Sequence, residues 1–91
     1  MEYKRDLLRY RYIVCPTIEE TEKVILILFS YGFKWRSGCT TVNPGYERLY
    51  PLGNIIFTDY DLVISYGDLS KKDSRSDNRE EIELEDFLEN F

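Results

Sequence analysis

The residues whose types could do chemistry are few and scattered. Asp59 and Asp61 form an Asp-x-Asp pair of the sort that holds divalent metals, and Lys34-Trp35-Arg36-Ser37-Gly38 sets two cations around an indole. The only thiols are Cys15 and Cys39, 24 positions apart, and there is no histidine. The chain therefore lacks the commonest general base, the usual zinc partner of cysteine and the side chain that titrates near neutral pH. With no imidazole to activate a Ser, Thr or Cys, a nucleophilic triad is not expected. The cysteines fit no zinc spacing, and in a reducing compartment they read as two free, structural thiols. Asp59-x-Asp61 reads as a turn, because Asp is favoured there by bonds from its carboxylate to nearby backbone amides. Asp73 to Glu80 is not a calcium loop: Arg75 stands where an oxygen ligand is needed, and the turn glycine is missing. Gly32 and Gly38 follow a helix instead of opening one, so they do not cradle a phosphate. The expectation is a protein that is not an enzyme and uses neither metal nor cofactor.

Binding chemistry is better represented. Trp35 and the tyrosines offer flat faces on which a base can stack, while Lys34 and Arg36, with Arg9 and Arg11 from the first strand, can hold phosphate oxygens. Against that stands a plainer reading, in which Trp35 anchors the core near a sheet end and Lys34 and Arg36 are solvated. Charge is also unevenly distributed. Residues 1–48 carry eight Lys or Arg against six acids, and residues 49–91 carry four against eleven, within a net charge of −5. A net-acidic chain is a poor binder of duplex nucleic acid, whose affinity comes largely from phosphate neutralisation. Its acidic half either meets a basic protein surface or forms a solvated face that maintains solubility.

The elements that position these residues follow from periodicity. At 91 residues with 43% hydrophobic and 32% charged content, the chain reads as one globular domain. Leu8 to Cys15 alternates, with Leu8, Tyr10, Tyr12 and Val14 on one face and Arg9, Arg11 and Ile13 on the other, which predicts a strand stopped by Pro16. Thr17-Ile18-Glu19-Glu20 has the form of a capping box, and a helix is expected over 17–31, ending on Gly32. Its core stripe is Ile18, Thr21, Val24, Ile25, Leu28 and Phe29. Leu26 and Ile27 fall on the opposite side, where they either make a subunit contact or are ordinary exposed apolar residues.

Cys39 to Val42 and Tyr46 to Tyr50 read as short strands, with a turn at Asn43-Pro44-Gly45 between them and another at Pro51-Leu52-Gly53-Asn54. Ile55 to Thr58 and Leu62 to Tyr66 are two more strands, or one long bent strand. Residues 68–79, charged or small and polar apart from Leu69, are expected as a mobile charged loop. Ile82 adds a short strand residue, and Leu84, Phe87, Leu88 and Phe91 fall at helical spacing. The fold expected is α+β: an antiparallel sheet with the main helix on one face and a short C-terminal helix sealing an end. The longest apolar run, Val24 to Phe29, is too short to span a membrane, and the charged start from Met1 to Arg5 predicts no secretory signal, hence a cytoplasmic protein.

A helix closing on Gly-Phe-Lys-Trp-Arg-Ser-Gly (32–38), followed by short strands and then Glu-Ile-Glu-Leu-Glu-Asp-Phe-Leu (81–88), resembles small accessory proteins of phages and prophages. In those chains a G-Y/F-x-W-x-S-G segment closes a helix and an E-I-T-x-x-E-F-L segment ends the chain; here Glu83 stands where they carry Thr or Ser. The resemblance implies a viral accessory protein of the host cytoplasm, often a counter-defence factor, and carries over no catalytic residue. Two mechanisms follow. In one, the protein inhibits a host defence protein by binding it through its acidic half or exposed aromatics. In the other, it is a homo-oligomeric sponge for a nucleotide messenger, joined through Leu26 and Ile27 and gripping the ligand with Arg9, Arg11, Lys34, Trp35 and Arg36.

Overall fold

The main helix, α2, runs from Ile18 to Ser30, and both of its ends are written in the sequence. Thr17 is extended, and its hydroxyl oxygen accepts the Glu20 amide at 3.2 Å while donating to the Glu20 carboxylate at 2.9 Å. Glu20 thus holds the capping side chain, a variant of the reciprocal box. At the other end Gly32 is left-handed (φ 95°), Phe33 donates to the Leu28 carbonyl at 3.1 Å and Gly32 to that of Phe29 at 3.0 Å, the double closure of a Schellman motif. Thr21, Val24, Ile25 and Leu28 are buried, Phe29 is half-buried, and Ile18 at the first turn is exposed.

The computed structural model describes residues 2–42, 50 and 52–91. Besides α2 these form helix α1 (Glu2–Leu7), strands β1 (Arg11–Cys15), β2 (Lys34–Trp35), β3 (Asn54–Thr58), β4 (Val63–Asp68) and β5 (Glu80–Glu81), and helix α3 (Leu84–Asn90). The architecture is α+β, with one sheet in the order β2-β4-β3-β1-β5. The sheet is mixed where an antiparallel sheet of hairpin-linked strands was expected: β3 pairs antiparallel with β1 and β4, while β1–β5 and β2–β4 are parallel. The reason is connective. Helix α2 carries the chain across the sheet from β1 to β2, and the 69–79 segment carries it from β4 to β5, and crossovers of that length permit parallel neighbours.

The register sorts side chains onto two faces. Ile13 and Ile56 pair on the face that α2 covers, where they join Val24, Leu28, Phe33, Trp35, Ile64 and Phe87 in the core. Tyr12, Phe57 and Ser65 lie in one row on the other face. All five residues of β3 are buried, so this strand is covered on both sides, as its unbroken Ile55-Ile56-Phe57 run suggests.

Several expectations need correction. The first strand begins at Arg11, not Leu8, because residues 2–7 are helical and Tyr10 turns the chain at φ 56°. That turn breaks the alternation, so the helix-facing residues are Ile13 and Cys15, while Tyr12 and Val14 are half-buried opposite. Cys39 to Val42 is not a strand; the edge strand is Lys34–Trp35, drawn to β4 by the Lys34 amide on the Leu62 carbonyl at 3.1 Å. Residues 55–66 are two strands joined by a turn. The expected turn at Asn43-Pro44-Gly45 and most of the Tyr46–Tyr50 strand lie outside the described residues; Tyr50 itself is not in a strand.

In α3, Phe87 is buried, Leu84 and Phe91 are half-buried, and Leu88 is 38% exposed. Leu26 is exposed, and Ile27 is half-buried against the core. Cys15 is buried and Cys39 exposed, both as free thiols. No helix among the described residues is long and apolar enough to cross a membrane.

Candidate functional site

The hairpin between β3 and β4 organises the side chains with binding character. Its loop closes through the Asp59 amide on Val63 (3.0 Å) and the Leu62 amide on Asp59 (3.2 Å), with Leu62 left-handed at φ 64° in the place where such loops favour glycine. Opposite it, the Leu8–Arg11 turn is pinned by buried Thr58, whose hydroxyl donates to the Leu8 carbonyl and accepts the Arg11 amide at 2.8 Å. The two turns bring Tyr10 onto Tyr60, with rings parallel within 6° and centroids 4.9 Å apart. From Tyr10 a chain of contacts continues along the sheet: Arg79 lies 4.5 Å from the Tyr10 ring and 5.5 Å from Phe57, and Arg75 lies 4.2 Å from Phe57. Each contact is a ring against a ring or a guanidinium against a ring, arrangements that gain beyond area alone.

Carboxylates hold the guanidiniums in place. Arg79, with only 11% of its side chain exposed, donates to Asp59, to the Thr58 carbonyl at 3.3 Å and to the Arg75 carbonyl at 2.8 Å. Arg75 is held by Asp73 at 2.6 Å and reaches Ser65 Oγ and the Tyr66 carbonyl, each at 3.2 Å. Hydrogen bonds from Arg75 hold the Asp73 carboxyl below its ordinary pKa range. The charged segment 68–79 therefore lies against the second sheet face through two arginines, with a short 3₁₀ turn at Ser74–Ser76 between them.

The five residues proposed from sequence as ligand contacts do not form one site. Arg11 pairs with Glu80 at 3.2 Å beside β5, and Trp35 and Lys34 lie at the opposite sheet edge. Trp35 is 3% exposed and donates its indole N–H to the Thr41 carbonyl at 2.6 Å, with Phe29 and Tyr66 packed edge-on to it. It is a core anchor. Arg9 and Arg36 do converge, on the hairpin tip. Arg9 donates to the Tyr60 carbonyl at 2.8 Å, and its Nε lies 3.2 Å from the Asp6 carboxylate but off the hydrogen-bond axis. Arg36, 77% exposed, approaches Asp59 at 3.9 Å. Sequence reasoning missed Tyr60, the exposed end of the stack, although Asp-Tyr-Asp in a turn was the available signal.

Two further surfaces bear on function. A groove of about 560 Å³ runs beside β4, lined by Trp35, Arg36, Tyr50, Ser65, Tyr66 and Arg75. On α3, Glu85 and Glu89 flank the partly exposed Leu88. Glu81, Glu83, Glu85, Asp86 and Glu89 are all exposed, and none makes an ion pair among the described residues. Neither surface brings together three carboxylates or thiols as a metal site requires, and none of the described residues do so elsewhere. Asp59 instead serves Arg79. No family model matches the sequence, and no curated protein or solved structure matches it either.

Proposed function

We propose that the protein is a non-enzymatic accessory protein of the phage type, which inhibits a host defence system by docking its acidic C-terminal face onto a basic surface of a host protein in the cytoplasm. The observation that carries this reading is the contrast in how charge is used. Arg9, Arg11, Arg75 and Arg79 are engaged with Asp6, Glu80, Asp73 and Asp59, so these four would have to give up ion pairs to grip a polyanion, and Arg75 and Arg79 would also give up contacts with the sheet. The acids of 81–89 have no such engagements and surround an exposed leucine, which suits a charged rim around an apolar contact.

The groove beside β4 favours a second reading, a homo-oligomeric sponge for a nucleotide messenger, because it places aromatic rings and Arg36 around an open volume. The two are separated by one pair of measurements: a thermal-shift panel of cyclic and linear nucleotides, and capture of the host target by wild type and by Glu85→Lys/Glu89→Lys. A flat panel, with capture lost in the charge-reversed variant at unchanged melting temperature, supports host-protein docking. A nucleotide at a hundredfold excess over its Kd would stabilise the fold by about 2.7 kcal/mol. A shift of that size, abolished by Arg36→Ala, would replace the first reading with the second.

A further inference from the structure

Tyr60 is an exposed aromatic held rigid. One face of its ring lies on Tyr10, yet 66% of the residue is exposed, so the other face is open to solvent. The ring is prepaid in entropy: Tyr10 is fixed beneath it by the Thr58-pinned turn, and Arg79 fixes Tyr10 in turn. Rigid Tyr rings presented this way give large contact area at little ordering cost, and with Arg and Trp they dominate interface energetics.

The charge at the tip says what would cover that face. Two of the cations near the tip have carboxylate neighbours: Arg9 lies against Asp6 and donates to the Tyr60 carbonyl, and Arg36 approaches Asp59 at 3.9 Å. Asp61, next to Tyr60 in the chain, is exposed and makes no ion pair among the described residues. An open ring face, with an exposed carboxylate on the next residue of the same turn, complements a planar cation. The molecule already uses that pairing twice internally, with Arg75 on Phe57 and Arg79 on Tyr10, each guanidinium also held by an Asp. We propose that the hairpin tip is a second contact for the basic partner, in which the outer face of Tyr60 and the Asp61 carboxylate receive an arginine side chain. This rests on the reading that the partner is a basic protein, and it adds a site remote from α3 and a preference for arginine over lysine, whose compact ammonium stacks less well.

The test uses the full chain with hexa-arginine and hexa-lysine peptides, titrated by calorimetry at low salt, with the Tyr60 ring signal followed by NMR. The expected result is tighter binding of hexa-arginine, a shift of the Tyr60 resonance, and about fivefold weaker hexa-arginine binding in Tyr60→Ala. Tyr60→Phe, which keeps the ring face, should stay within about twofold of wild type. Equal hexa-arginine affinity in wild type and Tyr60→Ala would overturn the proposal, as would a Tyr60 resonance moved by adenosine monophosphate and not by the peptide. If Glu85→Lys/Glu89→Lys weakens both peptides while Tyr60→Ala changes neither, the tip assignment falls and docking through the acidic face stands. If the charge reversal leaves peptide binding unchanged while Tyr60→Ala weakens it, the tip stands and the α3 assignment falls.

Discussion

Gly67 offers the sharpest test of the arginine strap. It sits in β4 opposite Ile55, and a methyl group built on it would lie 2.5 Å from Asp73 Oδ2, 2.9 Å from Arg75 Nη2 and 3.3 Å from Phe57 Cε2. The first two are ends of flexible side chains, so in Gly67→Ala the strap must move by about 1 Å while the strand stays. That displacement costs the Arg75–Phe57 contact, about 0.5–1 kcal/mol. It also costs hydrogen bonds to Ser65 and Tyr66, ordinarily about 1 kcal/mol each and discounted by about half because the Arg75 side chain is 40% exposed. Alanine offsets about 0.5–1 kcal/mol through its lower chain entropy in a strand. The net expectation is a destabilisation of about 1 kcal/mol in wild type. In an Arg75→Ala background the strap is already gone, and the same substitution should be neutral or stabilise by about 0.5 kcal/mol. Urea unfolding of the four proteins gives the coupling directly, expected at about 1–1.5 kcal/mol with no change in m. Equal effects of Gly67→Ala in both backgrounds would refute the strap as a stabilising element.

Two other outcomes follow from buried groups. Burial pushes the Cys15 thiol up to about 12, partly countered by a hydrogen bond with Thr21, so near neutral pH a thiol reagent should label Cys39 in the native protein and reach Cys15 only on unfolding. Because the folded pKa lies above the unfolded one near 9.0, this thiol's contribution is complete below pH 9 and declines as pH rises towards 12, at up to about 1.4 kcal/mol per pH unit. Cys15→Ala should flatten that part of the stability profile, and an identical alkaline slope in both proteins would count against it. Asn54 is fully buried, donating to Thr21 Oγ1 at 3.2 Å and the Tyr50 carbonyl at 3.3 Å and accepting the Tyr50 amide at 3.0 Å. Asn54→Ala should cost about 2–3 kcal/mol, which at this chain length lowers Tm by roughly 10 °C or more; a change under about 3 °C would show that the triple contact contributes little.

What could be read from the sequence was local. The caps of α2 are set by residues within four positions of its ends, so Thr17, Glu20 and Gly32 announce it. The apolar run of β3 and the spacing of Leu84 and Phe87 are equally self-contained. The candidate site was misjudged because adjacency in sequence stood in for adjacency in space. Lys34, Trp35 and Arg36 look like one cluster, but a strand alternates its faces, so Trp35 turns into the core while Lys34 and Arg36 are exposed. The charged–aromatic–charged order already contained that answer. Arg9 and Arg11 were placed together by the same reasoning, and the left-handed Tyr10 between them separates their partners. The ring and guanidinium contacts from Tyr60 to Arg75 join residues 10, 57, 60, 75 and 79, and no short-range pattern encodes a pairing over such separations.

The strand order also bears on how the chain is made. β1 has β3 and β5 as its neighbours, so a chain emerging from the ribosome displays β1 with no hydrogen-bonding partner until Asn54 and its followers are out. For that interval the α2 segment has no finished sheet beneath its apolar stripe, and exposed apolar surface of that kind is what makes an incomplete chain prone to aggregate. β5 pairs Arg11 with Glu80, and the sheet cannot be complete before that residue has been added. The acidic helix α3 follows β5 in the chain and is built after it. A partner that docks there meets only chains whose synthesis has passed the point at which the whole sheet can close.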